Sequence, residues 1–212
     1  MKISQKNQYE VTFKAIHIAD AYNNGRKNLI KIYKLTDKDK YFLNNLQENI
    51  VMARLMPDMN TSKLDVWQKI FFLSIKNAGL KCRTGIAAFY NGKPCGLMAY
   101  TKKPSSYRLD TICTWPVTPG KKVPFAGTTL ISVLFNDFLK SEAHFIDLDA
   151  VTNGPFSAVS KYMSLGFKQR GGENGLTAMR AVRDRVTEKM AQINEKVKII
   201  MKLSQKEVEL NV

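Results

Sequence analysis

The stretch Val117-Thr118-Pro119-Gly120-Lys121-Lys122-Val123-Pro124-Phe125-Ala126-Gly127 joins an apolar, β-branched run to an amphipathic segment. Upstream, Leu109, Thr111, Ile112, Cys113, Trp115 and Val117 have the composition of a strand. Downstream, Leu130, Ile131, Leu134, Phe135, Phe138 and Leu139 recur at helical period on one face, which predicts a helix opening at Gly127-Thr128-Thr129. Strand, loop, helix is the order of a phosphate site. Four N–H groups at such a helix start lack intrahelical partners, the helix dipole adds positive charge, and Lys121 and Lys122 lie just upstream. The loop is neither GxxxxGK[ST] nor GxGxxG, so any bound anion belongs to another kind of phosphate-bearing ligand. A solvated basic loop ahead of a core helix is the plain alternative.

The 212 residues are 44% hydrophobic, enough for a sizeable core, and favour one globular domain. No apolar run has the length of a membrane span, and MKISQKNQYE has no signal core, so a soluble, cytoplasmic protein without membrane association is expected. Cys82, Cys95 and Cys113 lack metal-ligand spacing and read as reduced core thiols, with no metal site. Lys and Arg total 33 against 18 Asp and Glu, a formal charge of +15. That imbalance attracts anionic partners such as RNA or another nucleic acid, an acidic protein or a polyphosphate, although the lysines are dispersed as on a solvated surface.

Around the central stretch the chain alternates strand and helix signals. Tyr9–Ala15 alternates as a half-buried strand, and Leu29–Leu35 reads as another. Thr36 with Asp39 marks a helix start running through Phe42, Leu46 and Val51, and a second helix runs from Thr61 or Ser62 to Gly79. Between them Met56-Pro57-Asp58-Met59-Asn60 is a candidate groove wall. Asn91-Gly92 joins Gly85–Tyr90 to Cys95–Tyr100 as a hairpin. After the central helix come a strand at His144–Val151, a break at Asn153-Gly154-Pro155, a helix from Phe156 to Leu165 capped by Gly166, and two strands to Val182. The spacing of Val186, Met190, Ile193, Val197, Ile200 and Met201 predicts one long C-terminal helix over 184–212.

This order resembles the GNAT-type N-acetyltransferase superfamily over about Leu29 to Val182. Two motifs carry the resemblance. Val117-Thr118-Pro119, followed by Lys122 and Gly127, is similar to the family's V-x-P and Q/R-x-x-G-x-G/A turn, and Ala158-Val159-Ser160-Lys161-Tyr162-Met163-Ser164-Leu165-Gly166-Phe167 matches A-x-x-x-Y-x-x-L-G-F. The resemblance implies an α/β fold of the α+β kind: a mixed, mostly antiparallel sheet flanked by helices, with an N-terminal extension (1–28), the acetyltransferase domain (29–182) and the C-terminal helix (183–212).

The activity implied is transfer of an acetyl group from acetyl-CoA, as cosubstrate, to a primary amine of an unassigned acceptor. By the same resemblance Lys121, Lys122, Ala126, Gly127, Thr128 and Thr129 would hold the pyrophosphate, Trp115 and Val117 would bond the pantetheine arm through their backbones, and Asn153 would lie beside it. Tyr162 takes the general-acid position, and Asp110 is the carboxylate nearest to the family's base. The chain departs from the family at Phe125, which stands where the turn has a glycine, and at Pro124, which has no N–H. That departure leaves a second expectation open: a catalytically degenerate member binding nucleic acid or a protein through its basic surface. A homodimer is compatible with either.

Overall fold

The computed structural model describes residues 14–23, 29–152 and 157–202. The expected strand at Tyr9–Ala15 falls largely outside them, as do Asn153, Gly154 and Pro155. The described elements run β1 (Ile16–Asn23), β2 (Leu29–Lys34), a 3₁₀ turn (Asp37–Asp39), α1 (Lys40–Asn49), α2 (Met52–Leu55), α3 (Thr61–Ala78), β3 (Thr84–Tyr90), β4 (Lys93–Lys102), β5 (Ser106–Thr114), α4 (Ala126–Leu139), β6 (Phe145–Val151), α5 (Val159–Ser164), β7 (Lys168–Glu173), β8 (Leu176–Val182), α6 (Arg183–Asn194) and β9 (Val197–Met201).

Local chemistry sets most of these boundaries. The side chain of Thr36 accepts from the Lys38 N–H while Asp39 reaches back to the Thr36 N–H at 2.7 Å, the reciprocal cap the sequence signalled. At α3 the cap is Asn60, whose side chain accepts from the Lys63 N–H at 2.9 Å, one residue ahead of the Thr61 or Ser62 expected. Asn91 and Gly92 both take positive φ, 51° and 73°, as a two-residue hairpin turn matched to strand twist requires.

All nine strands join one sheet in the order β7-β8-β6-β5-β4-β3-β2-β1-β9, antiparallel except for β5 beside β6. Alternating side chains feed two cores. Ile86, Ala88, Met98 and Tyr100 meet α4 and α6 on one face; Ala87, Leu97 and Ala99 meet α1 and α3 on the other. Helix α4 is buried nearly all round because the sheet covers one side and α6 another.

The long C-terminal helix is a correction. α6 ends at Asn194, and Val197–Met201 form β9, which pairs antiparallel with β1 through Ala19↔Met201 and Asn23↔Val197; the rest of the expected helix, 203–212, lies outside the described residues. Val197, Ile200 and Met201 keep helical spacing while Val197, Ile199 and Met201 sit at period 2, and the free edge of β1 decides between them. β1 and β9 therefore belong to the same sheet as the strands of 29–182, which the division at 28/29 and 182/183 did not anticipate.

The sheet opens in the middle. β5 pairs with β6 only from Ser106↔Phe145 to Leu109↔Leu148, although β5 continues to Thr114 and β6 to Val151. The divergence begins at a bulge: Leu109 pairs with Tyr100 and Thr111 with Ala99, leaving Asp110 as the extra residue. A bulge bends its strand and flips the side-chain alternation beyond it. Accordingly Tyr107 and Leu109 enter the α4 core, whereas Cys113 and Trp115, of the same parity, enter the α3 core.

Candidate functional site

A cavity of about 700 Å³ lies where β5 has parted from β6. Its walls are the strand end (Thr114, Trp115, Pro116), the α2–α3 linker with Trp67, the loop from Gly120 to Phe125, and the first turn of α4, with Lys161 of α5 reaching in. Two hydrogen bonds assemble these walls. The Gly120 N–H donates to the Leu55 carbonyl at 3.0 Å, tying the loop to the α2–α3 linker, and the Trp67 indole donates to the Thr114 carbonyl at 3.0 Å.

The helix start is built to receive an anion. Thr129 N–H donates to the Phe125 carbonyl at 2.8 Å, the first bond of the helical ladder, so the N–H groups of Ala126, Gly127 and Thr128 precede it and have no intrahelical acceptor. Those three residues line the cavity. No side chain caps the helix. The helix end lies beside a cation: a Cβ built at Gly127 would stand 3.6 Å from the Lys161 amine and 3.8 Å from Thr114, both ordinary contact distances. Lys122 and Lys161 have no ion-pair partner among the described residues.

Phe125 occupies the N-cap with φ 60° and ψ 5°, left-handed backbone that glycine adopts freely and a phenylalanine only with strain of order 1–3 kcal/mol. The chain thus keeps the path of a glycine turn without the glycine. Pro124 contributes no donor, and the cradle falls to the three residues after Phe125.

The structure gathers Trp115, Lys122, Ala126, Gly127 and Thr128 around the cavity and leaves others out. Thr129 is fully buried, its N–H is spent, and its hydroxyl has no partner among the described residues. Lys121 turns back in an isolated bridge with Thr118, and Val117 packs against the core. Trp115 lines the cavity, yet its N–H donates to the Cys95 carbonyl at 2.9 Å and its indole to the Pro94 carbonyl at 2.8 Å. By strand alternation the peptide groups of Ile112 and Thr114 face the opening instead. Asp110 does not line this cavity: at the bulge it meets Arg83 at 3.5 Å and the Thr101 hydroxyl at 2.7 Å, with Arg108 at 3.9 Å.

Tyr162 does not line the cavity; it follows the cavity-lining Lys161 on α5 and packs against the core, its ring edge-on to Phe167 at 5.8 Å. Burial, with a smaller contribution from the Cys113 thiol on β5, pushes its phenol up to about 12, so it is a proton carrier at neutral pH. Gly166, at φ 92°, closes α5 in left-handed backbone while Phe167 N–H returns to the Tyr162 carbonyl at 3.1 Å. Sequence reasoning missed Lys161, Trp67, Lys63 and Asp58. Lys161 sits inside the quoted motif and was passed over as a variable position; Asp58 lay within the linker singled out as a groove wall.

This sheet order, with its one parallel pair opening at a helix N-terminus and helices on both faces, is the GNAT-type N-acetyltransferase fold. The aminoglycoside 6'-N-acetyltransferase from Enterococcus faecium superposes with a TM-score of 0.51 at 14% identity, over 72% of this chain and 96% of that one. An uncharacterized protein from Bacillus halodurans superposes with a TM-score of 0.57 at 8% identity, over 85% of this chain and 97% of that one. The likeness is one of fold. No family model and no curated protein matches the sequence.

Proposed function

We propose that the chain transfers an acetyl group from acetyl-CoA to a primary amine. The observation that carries this reading is the α4 start, where N–H groups without an intrahelical acceptor and two lysines without an ion-pair partner among the described residues lie beside the split sheet edge at Ile112 and Thr114; Tyr162, next to the cavity-lining Lys161 on α5, would be the protonated group that serves it. The donor set fits a diphosphate, which takes backbone N–H and ammonium donors together. Lys122, Lys161 and the Ala126–Thr128 N–H groups would hold it, and the exposed edge of β5 would take the amide groups of the pantetheine arm.

In the step itself the acceptor nitrogen forms a C–N bond to the thioester carbonyl and the C–S bond breaks. Tyr162 supplies the proton to the departing sulfur, and the acceptor's own surplus proton leaves for a base. Asp58 is the one carboxylate lining the cavity among the described residues, and it replaces Asp110 as the group to receive the acceptor's ammonium. Phe125 and Pro124 favour the rival reading, a degenerate member that binds through its basic surface. The retained left-handed turn weighs against it, since the altered residues preserve the loop's path.

Titration calorimetry with acetyl-CoA, followed by a thiol-release assay over a panel of amines, tests the proposal. Saturable binding and amine-dependent thiol release are expected. Binding of RNA with a steep salt dependence and none of acetyl-CoA would establish the rival.

A further inference from the structure

Phe125 carries more than a departure from a motif. Its side chain lines the cavity, is 37% exposed and has no ring partner among the described residues. Its strained backbone places that ring immediately before the unbonded N–H groups of Ala126, Gly127 and Thr128. An aromatic ring left uncovered, on backbone that a smaller residue would adopt without cost, points to something the ring touches. The phosphate position fixes what that is. From the α4 start the acyl end of the donor must run along β5 toward Tyr162, so the other side of the phosphates, where the chain arrives through Phe125, is left to the nucleotide.

We propose that Phe125 is a platform on which the nucleobase of the acyl donor stacks, making this site selective for nucleotide-bearing donors over phosphopantetheine alone. The inference rests on the acetyl-CoA reading above and adds a specificity determinant to it. A flat π face suits a base because stacking tolerates any purine and needs no hydrogen-bond register. It also offers a route to affinity in a loop where Pro124 has withdrawn one phosphate donor.

The test titrates wild type, Phe125→Gly and Phe125→Leu with coenzyme A and with 4'-phosphopantetheine, which keeps the arm and a phosphate but lacks the nucleotide. Phe125→Gly is expected to weaken coenzyme A about tenfold and to leave phosphopantetheine within twofold, since base stacking on an aromatic side chain is of that size. Phe125→Leu keeps the Cβ and apolar bulk but has no flat face, and is expected to weaken coenzyme A to the same extent. Thermal melts serve as the folding control: Phe125→Gly should melt no lower than wild type because glycine accepts φ 60° without strain. Unchanged coenzyme A affinity in both variants overturns the proposal, as does equal loss for both ligands or full retention in Phe125→Leu. Wild type that binds no coenzyme A overturns the acetyl-CoA reading itself, and this inference with it.

Discussion

The two ends of the β5–β6 pair treat charge in opposite ways. At the closed end, Arg180 grips Asp147 at 2.7 Å, Arg108 pairs with Asp149, and Asp137 takes both the Tyr100 hydroxyl and the Lys102 amine at 2.6 Å. At the open end Lys63, Lys122 and Lys161 line the cavity without an ion-pair partner among the described residues. Both ends are rich in charge; one uses it to hold strands and the other sets it around a cavity. The hinge between these regimes is a single residue, Asp110, whose bulge ends the pairing with β6 and whose carboxylate is itself spent on Arg83 and Thr101. Net charge alone therefore says little about where a partner binds. The informative feature is which cations line a cavity beside N–H groups that have no intrahelical acceptor.

The contrast can be broken most severely at Gly127. Gly127→Glu puts bulk and negative charge over the unbonded N–H groups and should abolish acetyl-CoA binding with the melting temperature little changed; normal affinity would remove the anion site from this helix. Tyr162→Phe keeps the ring against Phe167 and deletes the hydroxyl, and should lower turnover roughly a hundredfold with coenzyme A affinity unchanged. A stability loss with turnover intact would make Tyr162 structural. Lys161→Ala should weaken coenzyme A about tenfold, the scale of one charge-assisted contact, without affecting the melt.

The mirror experiment lies at the closed end. Tyr100→Phe removes a donor to Asp137 and should cost about 1 kcal/mol of stability, a few degrees of melting temperature, while cofactor affinity stays at the wild-type value. The smallest effect is in alkaline stability. Burial pushes the Cys95 thiol up to about 12 and raises Cys113 further, so the unfolded chain, with ordinary thiols near 9.0, releases protons first. Stability then falls as pH rises, by roughly 0.7 kcal/mol between pH 8 and 9, and about half of that slope should vanish in Cys113→Ala. A flat profile would mean those thiols are accessible.

Much of this arrangement was legible in the chain and some of it was not, for physical reasons. The caps at Thr36, the Asn91-Gly92 turn and the α4 stripe are local signals read within a few residues, and each element formed where its signal stood. The Ala158–Phe167 motif likewise located Tyr162. Failures cluster where distant pairing overrides local pattern. The partner that makes Val197–Met201 a strand is β1, at the opposite end of the sequence. Asp110 looked like a cleft carboxylate because a bulge, which changes the parity of every later residue in the strand, leaves no mark in composition. Trp115 was expected to lend its backbone to a ligand, yet the register with β4 spends that N–H on Cys95 and turns the peptide groups of Ile112 and Thr114 to the opening. Lys161 lines the site beside Gly127, a neighbour distant in sequence that no local pattern announces.

The place of β9 has a consequence for how the protein is made. β1 lies between β2 and β9, so one of its two edges is filled by residues synthesised long after it. While the chain is still emerging from the ribosome, β1 presents Ala19–Asn23 as an unfilled edge, a template for pairing with a neighbouring nascent chain. Closing it is the contact of longest sequence separation in the sheet and so the slowest to pay back its loop entropy. Chains that stop short of Val197 are accordingly expected to aggregate as they are translated, and co-expression of a detached β9 peptide to rescue them.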